Sequence, residues 1–229
     1  MRRILLLLLA GCNPPSPMES LGALGRNLHA ALGETGGGVF YRDLQDGETI
    51  EIRGEDALPA GDAIAIPVLV AVVRDSAEGR YRLDDERTVD AVPGAEPGPE
   101  VAALLGKKAS IRRMIDLMIA GDPVARGNLV HQAGGPEGVA RRMRSAGMER
   151  SEAGGAGVPR EYGRLLDSLG RGEIVSPAAS AEMLSWLSRS PSPRAGVAAA
   201  AGRSFVFVVL AADPAAVLRV LREHVSSKR

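Results

Sequence analysis

Leu58-Pro59-Ala60-Gly61-Asp62-Ala63-Ile64-Ala65-Ile66-Pro67 joins two kinds of sequence within a chain of 229 residues. Pro59-Ala60-Gly61 is a break. The Ile, Val, Leu and Ala run after it predicts a helix over Asp62 to Asp75, buried on most sides. Upstream, Asp46-Gly47 is a strong hairpin signal, so Gly38 to Leu44 and Glu48 to Arg53 are expected as antiparallel strands. Before them Leu21, Leu24, Leu28 and Leu32 recur at helical spacing and Gly33 stops the pattern, giving a first helix over Met18 to Leu32. Downstream, helices are expected over Pro99 to Leu105, Ser110 to Ile119, Val124 to Ala133, Pro136 to Ala146, Pro159 to Leu169 and Pro177 to Ser188. Several of these open on Pro or Ser, which suit a first turn. Ser204 to Ala211 alternates as the clearest strand, Gly196 to Ala200 is a weaker one, and Asp213 caps a last helix reaching His224. The order implies a mixed α/β fold, an antiparallel sheet closed by helices from both chain ends with an all-helical block inserted.

The chain carries 28 basic and 28 acidic residues, so its overall charge gives no reason to expect a nucleic-acid partner. Lysine occurs only at Lys107, Lys108 and Lys228. Met1-Arg2-Arg3, Ile4, the leucines to Leu9 and Ala10 have the layout of an export signal, too short to span a bilayer. Leu9-Ala10-Gly11-Cys12 is similar to the lipobox of bacterial lipoproteins, in which the signal is cut before the cysteine and that thiol carries lipid. Cys12 is the only cysteine, so it has no internal disulfide partner in an oxidising compartment. Residues 1–11 are therefore expected as a signal peptide, 12–18 as lipidated Cys12 and a Pro/Ser-rich tether, and 19–229 as the exported domain. The expected partner is the membrane, through lipid on Cys12, with the domain facing the periplasm. Asn13, where many inner-membrane lipoproteins have Asp, favours the outer membrane.

The element order and the local sequence resemble class A β-lactamases and related penicillin-recognising serine hydrolases. In that family the hairpin leads to Phe/Leu-Pro-Ala-x-Ser-x-x-Lys-x-Pro, and Leu58 to Pro67 occupies the same place. Tyr81-Arg82-Leu83-Asp84-Asp85, Met114 to Ile119 with Gly121-Asp122-Pro123, Gly134-Gly135-Pro136-Glu137, Ala146-Gly147-Met148, Pro159-Arg160-Glu161 and Ser176-Pro177 continue the match in order. The resemblance covers most of residues 20 to 225. It implies a sheet subdomain at about 19–60 and 190–229 and a helical subdomain at about 61–189.

The resemblance also implies a mechanism whose parts are missing here. The family's chemistry needs Ser-x-x-Lys, a Ser-Asp-Asn loop and a Lys-Thr-Gly strand. A serine hydroxyl attacks only when a neighbouring base takes its proton, and one helical turn brings the two together. Asp62 and Ala65 stand at those two positions. Gly121, Asp122 and Pro123 stand at the second motif, where only Asp122 keeps its side chain, a residue expected to serve a turn or helix start. The interval from Ser188 to Ser204 is short for the family, which leaves the presence of the third-motif strand open, with Arg194-Ala195-Gly196 as the nearest remnant. Glu152, in the compressed stretch Ser151 to Gly157, is the candidate remnant of a deacylating glutamate, against a small flexible loop. Asp62 admits two roles, a carboxylate nucleophile or a cap on the orphan N–H groups of the helix it begins, and the second is favoured. His29, His131 and His224 lack ligand-like spacing, so neither metal nor cofactor is expected. A non-catalytic lipoprotein that binds or scaffolds, with a cell-envelope protein or a peptidoglycan-related ligand as partner, is the leading expectation. A hydrolase acting on β-lactams, peptides or esters through substituted residues is the alternative.

Overall fold

The computed structural model describes residues 17–228. The expected signal peptide, Cys12 and the tether up to residue 16 lie outside the described residues. In chain order the elements are α1 (Pro17–Leu32), β1 (Gly38–Asp43), β2 (Thr49–Ile52), β3 (Leu58–Pro59), α2 (Ala65–Ala77), β4 (Glu86–Thr88), α3 (Pro99–Ala102), β5 (Lys108–Ser110), α4 (Ile111–Ile119) and α5 (Pro123–Gln132). They continue with α6 (Gly135–Ser145), β6 (Ala156–Gly157), α7 (Pro159–Gly170), α8 (Pro177–Leu187), β7 (Ala195–Ala200), β8 (Arg203–Leu210) and α9 (Pro214–Ser227).

The main sheet has the order β2-β1-β8-β7 and is antiparallel throughout. The hairpin expected at Asp46-Gly47 joins β1 to β2, and β8 lies beside β1 with Phe40 opposite Val208. Strand alternation sends successive side chains to opposite faces and builds a core on each. Val39, Tyr41, Phe205, Phe207 and Val209 meet Leu24, Leu28 and Leu32 of α1 and Val217, Leu221 and Val225 of α9. Phe40, Val206, Val208 and Leu210 face the other way, into the core shared with α7 and the helical block. The two ends of the chain thus close one face of the sheet, as the sequence pattern predicts.

Through the helical block runs α2, whose residues from Ala65 to Val73 are all buried. Its Asp75, 2% exposed, is held by Arg142 Nε of α6 at 2.8 Å and by Arg80 Nη1 at 3.0 Å, so the charge is paired where burial would otherwise make it costly. Two expectations are corrected here. The helix begins at Ala65, because Gly61–Ile64 forms a 3-10 turn, and Asp62 makes no side-chain cap bond. Ala63 N–H already donates to Ala60 O, and Ala65 N–H to Asp62 O, so the tighter turn satisfies its own donors and leaves the carboxylate nothing to cap. The helix expected over Pro99 to Leu105 stops at Ala102, since Gly106, at φ +71°, redirects the chain to give its N–H to Val89 O.

Candidate functional site

The N-terminal end of α2, the C-terminal end of α4 and the segment from α8 to β7 enclose a cleft of about 110 Å³. Asp62 and Ala65 line it from the first element, Gly121 from the second and Arg194 from the third. Four positions scattered over the sequence therefore converge. The walls are otherwise largely apolar, with Ala63, Ile66, Met118, Ile119 and Leu187. Ser190 and Ser192 supply the hydroxyls. Asp62 also borders a wider groove of about 640 Å³ that includes Glu96, Pro123, Arg126 and Ala153 to Gly155.

The Asp62 side chain is 69% exposed, and its nearest cation, Arg126 Nη1, stands 3.8 Å away. At that exposure and distance the pair is worth little, so the carboxylate remains a solvent-facing negative charge at the junction of cleft and groove. Ala65 is 8% exposed and joins the core. A methyl thus fills a place where, by the family resemblance, a lysine would stand. Arg194 spends Nη1 on Ala212 O, at 2.8 Å. Its side chain lies against Gly61, where an added Cβ would sit 3.2 Å from Arg194 Nε. Gly61 also holds φ +55°, so this residue meets both the close approach and the left-handed backbone.

Asp122 caps α5 with Oδ1, which accepts from Val124 N at 2.9 Å and Ala125 N at 2.8 Å. Its Oδ2 accepts from Gly98 N at 2.7 Å. Both oxygens are used in holding backbone, and Asp122 borders a neighbouring pocket instead of the cleft. Pro123 opens α5. The interval before β8 contains one strand, β7, with Arg194 immediately before it.

Glu152 is exposed and lies outside both the cleft and the groove, with Oε2 3.4 Å from Ala156 N. The stretch around it is tied down, contrary to the flexible-loop expectation. Glu161 organises it, a residue that sequence reasoning used only as a landmark. One of its oxygens accepts from the N–H groups of Glu149 and Arg150, the other from Ser151 N and Oγ at 2.8 and 2.7 Å. Ser151 Oγ in turn accepts from Val158 N. The β3–β6 pairing, Leu58 with Gly157 and Pro59 with Ala156, fastens the same loop where its residues 153–155 border the groove.

Among the described residues, neither Lys nor His lines the cleft. Lys107 gives Nζ to Ala103 O, and Lys228 is bound to Asp43, Asp46 and Glu48 at the far end of the hairpin. His224 shares the same Glu48, at 2.6 Å, whereas His29 and His131 are exposed. The buried Tyr162 phenol is pushed above its ordinary pKa by burial, and its oxygen has no hydrogen-bond partner among the described residues.

A model of the β-lactamase enzyme family matches residues 23–215. Among solved structures, a β-lactamase from Chitinophaga pinensis superposes with a TM-score of 0.78 at 15% identity, covering 90% of this chain and 99% of that one. A mutant of PBP-A, solved as its acyl-enzyme complex with penicillin-G, gives 0.77 at 18% identity over 91% and 96%. A β-lactamase from Sphaerobacter thermophilus gives 0.75 at 19% identity over 89% and 95%. No curated protein matches the sequence. At these identities the solved structures speak for the fold, and the family model for descent. With that match over most of its length, this chain belongs to the β-lactamase enzyme family.

Proposed function

We propose that this protein is a catalytically silent member of its family, retained as a binding or scaffolding module and held in the cell envelope by lipid on Cys12. The observation that carries this reading is the pairing of Asp62 and Ala65 in the cleft. Acyl transfer needs a hydroxyl, a base to deprotonate it and a positive group to hold the substrate carboxylate. Asp62 replaces the hydroxyl with a negative charge that repels an anionic β-lactam. Ala65 replaces the base with a methyl group. Arg194 is engaged by Ala212 O and by the surface of Gly61, which leaves it poorly placed to grip a ligand.

The competing hydrolase reading rests on Ser190 and Ser192, which line the cleft together with the Asp62 carboxylate. Incubation with a chromogenic cephalosporin separates the two. The silent-member reading expects a rate equal to that of heat-inactivated protein, unchanged by Asp62→Ser with Ala65→Lys because the second and third motifs are still lacking. Turnover abolished by Ser190→Ala or Ser192→Ala would establish the hydrolase instead.

For the anchor, native protein should partition with membranes and incorporate labelled palmitate, whereas Cys12→Ser should take up no label and leave an uncleaved or soluble precursor. Several acyl chains, at about 0.8 kcal/mol per buried methylene, would make release negligible. Unlabelled, soluble native protein would remove the lipoprotein from this account. Anchored through Cys12, the domain faces the periplasm on the outer rather than the inner membrane, with an envelope protein or a peptidoglycan-related ligand as the proposed partner.

A further inference from the structure

Among the described residues β7 forms an outer edge of the main sheet, and its hydrogen-bonding phase can be fixed. The β7–β8 hairpin closes through Ala201-Gly202, with φ +50° and +79°, the positive pair that two-residue hairpin turns use. Val209 N–H donates to Arg194 O at 2.7 Å in the same register. Bonding residues alternate along an antiparallel ladder, so Gly196, Ala198 and Ala200 turn their N–H and C=O groups toward β8. Val197 and Ala199 turn theirs away from the sheet. Edge strands are commonly blunted by Lys, Pro, a bulge or a covering element. Ala195–Ala200 has only Ala, Gly and Val, and its register with β8 is unbroken.

We propose that this edge is an interface with a second copy of this chain, made by antiparallel pairing of two β7 strands about a two-fold axis at Ala198. The strand is self-complementary in that register. Val197 falls opposite Ala199 of the second copy and Ala199 opposite its Val197, so the outward groups of both residues find partners. Ala198 meets its own counterpart in a non-hydrogen-bonded pair, where the two Cα atoms approach to about 4.5 Å. β7 itself carries no charged side chain, so no two like charges face each other along the paired strands. Small side chains allow the approach, yet they offer no pocket that would select the sequence of a foreign peptide, which favours an identical strand as the occupant. The product is a continuous sheet in the order β2-β1-β8-β7-β7-β8-β1-β2, closed by an isologous contact.

Light scattering over a concentration series tests this on purified protein. The expected mass at high concentration is twice that of one chain. Val197→Pro removes an outward N–H and leaves the β7–β8 bonds intact, so it should give a monomer with an unchanged circular dichroism spectrum. If that variant unfolds, Ala199→Lys, at an exposed position, is expected to give the folded monomer. In a Cys12→Ser background, Ala198→Cys should oxidise to a cross-linked dimer, because the paired Cα atoms lie within disulfide range, and Ala200→Cys should not. A monomer at every concentration would overturn the proposal, even one that captured an extended peptide. So would a dimer that survives the folded edge variants, or an Ala198→Cys protein that fails to cross-link.

Discussion

Asp62 and Asp122 both stand where a sequence reader would place a helix cap, and only one of them serves as a cap. Asp122 accepts three backbone N–H groups, two from its own helix and one from Gly98. Asp62 accepts none, because the 3-10 turn uses backbone carbonyls in its place. Asp122→Ala should therefore cost about 2 kcal/mol or more, combining a lost cap with an unsatisfied Gly98 N–H. Asp62→Ala should fall within about 0.5 kcal/mol of native, as for an exposed surface site. Urea denaturation of the two variants checks the pair, and an equal cost would show that Asp62 is a cap after all. The identity of each residue was plain in the sequence, but the difference between them was not. It depends on where the backbone of Gly61 to Ile64 sends its own hydrogen bonds, which no spacing rule reports.

At the level of elements, the signals that worked were local and strong. Asp46-Gly47 marked the first hairpin, alternation marked β8, and Asp213 accepts from Ala215 N as the expected cap of α9. The pieces that escaped are short and paired over long distances. β3 and β6 contribute two residues each, joined across the stretch from α2 to α6, and β4 meets β5 over three. Neither length carries a periodicity. Glu161 escaped for a related reason: four donors converge on it from residues 149 to 151, and only the folded loop brings them there. The seat of α7 on the sheet is likewise a contact and not a pattern. Gly163 lies over the ring of Phe40, and an added Cβ would fall inside van der Waals contact with three ring atoms. Gly163→Ala gains about 1 kcal/mol of helix propensity but overpacks a core at about 1–3 kcal/mol. The second effect should prevail, lowering the thermal midpoint. A midpoint raised by the variant would mean that α7 lifts from Phe40 at little cost.

Over the whole molecule, the fold of the family persists, and the proposed function holds that its cleft no longer carries out the family's chemistry. The last helix remains fastened to the sheet, with Lys228 bound to the fully buried Asp43, which Arg203 of β8 also holds, and His224 to Glu48. The degenerate motif positions were legible in the sequence once the order of short matches had been aligned. That Asp62, Ala65, Gly121 and Arg194 would share one cleft, while Asp122 and Glu152 would stand outside it, required the packing of α2, α4 and β7. A binding surface can outlive the loss of a nucleophile, since the walls of a cleft are built by the core and the reaction by a few side chains. The central claim is that these side chains no longer form a covalent bond with a β-lactam. Intact-mass spectrometry after prolonged incubation with excess penicillin G tests it without relying on turnover. The predicted result is a single peak at the mass of the unmodified protein. A stoichiometric adduct of one penicillin, mapped by peptide sequencing to a residue of the cleft such as Ser190 or Ser192, would contradict it.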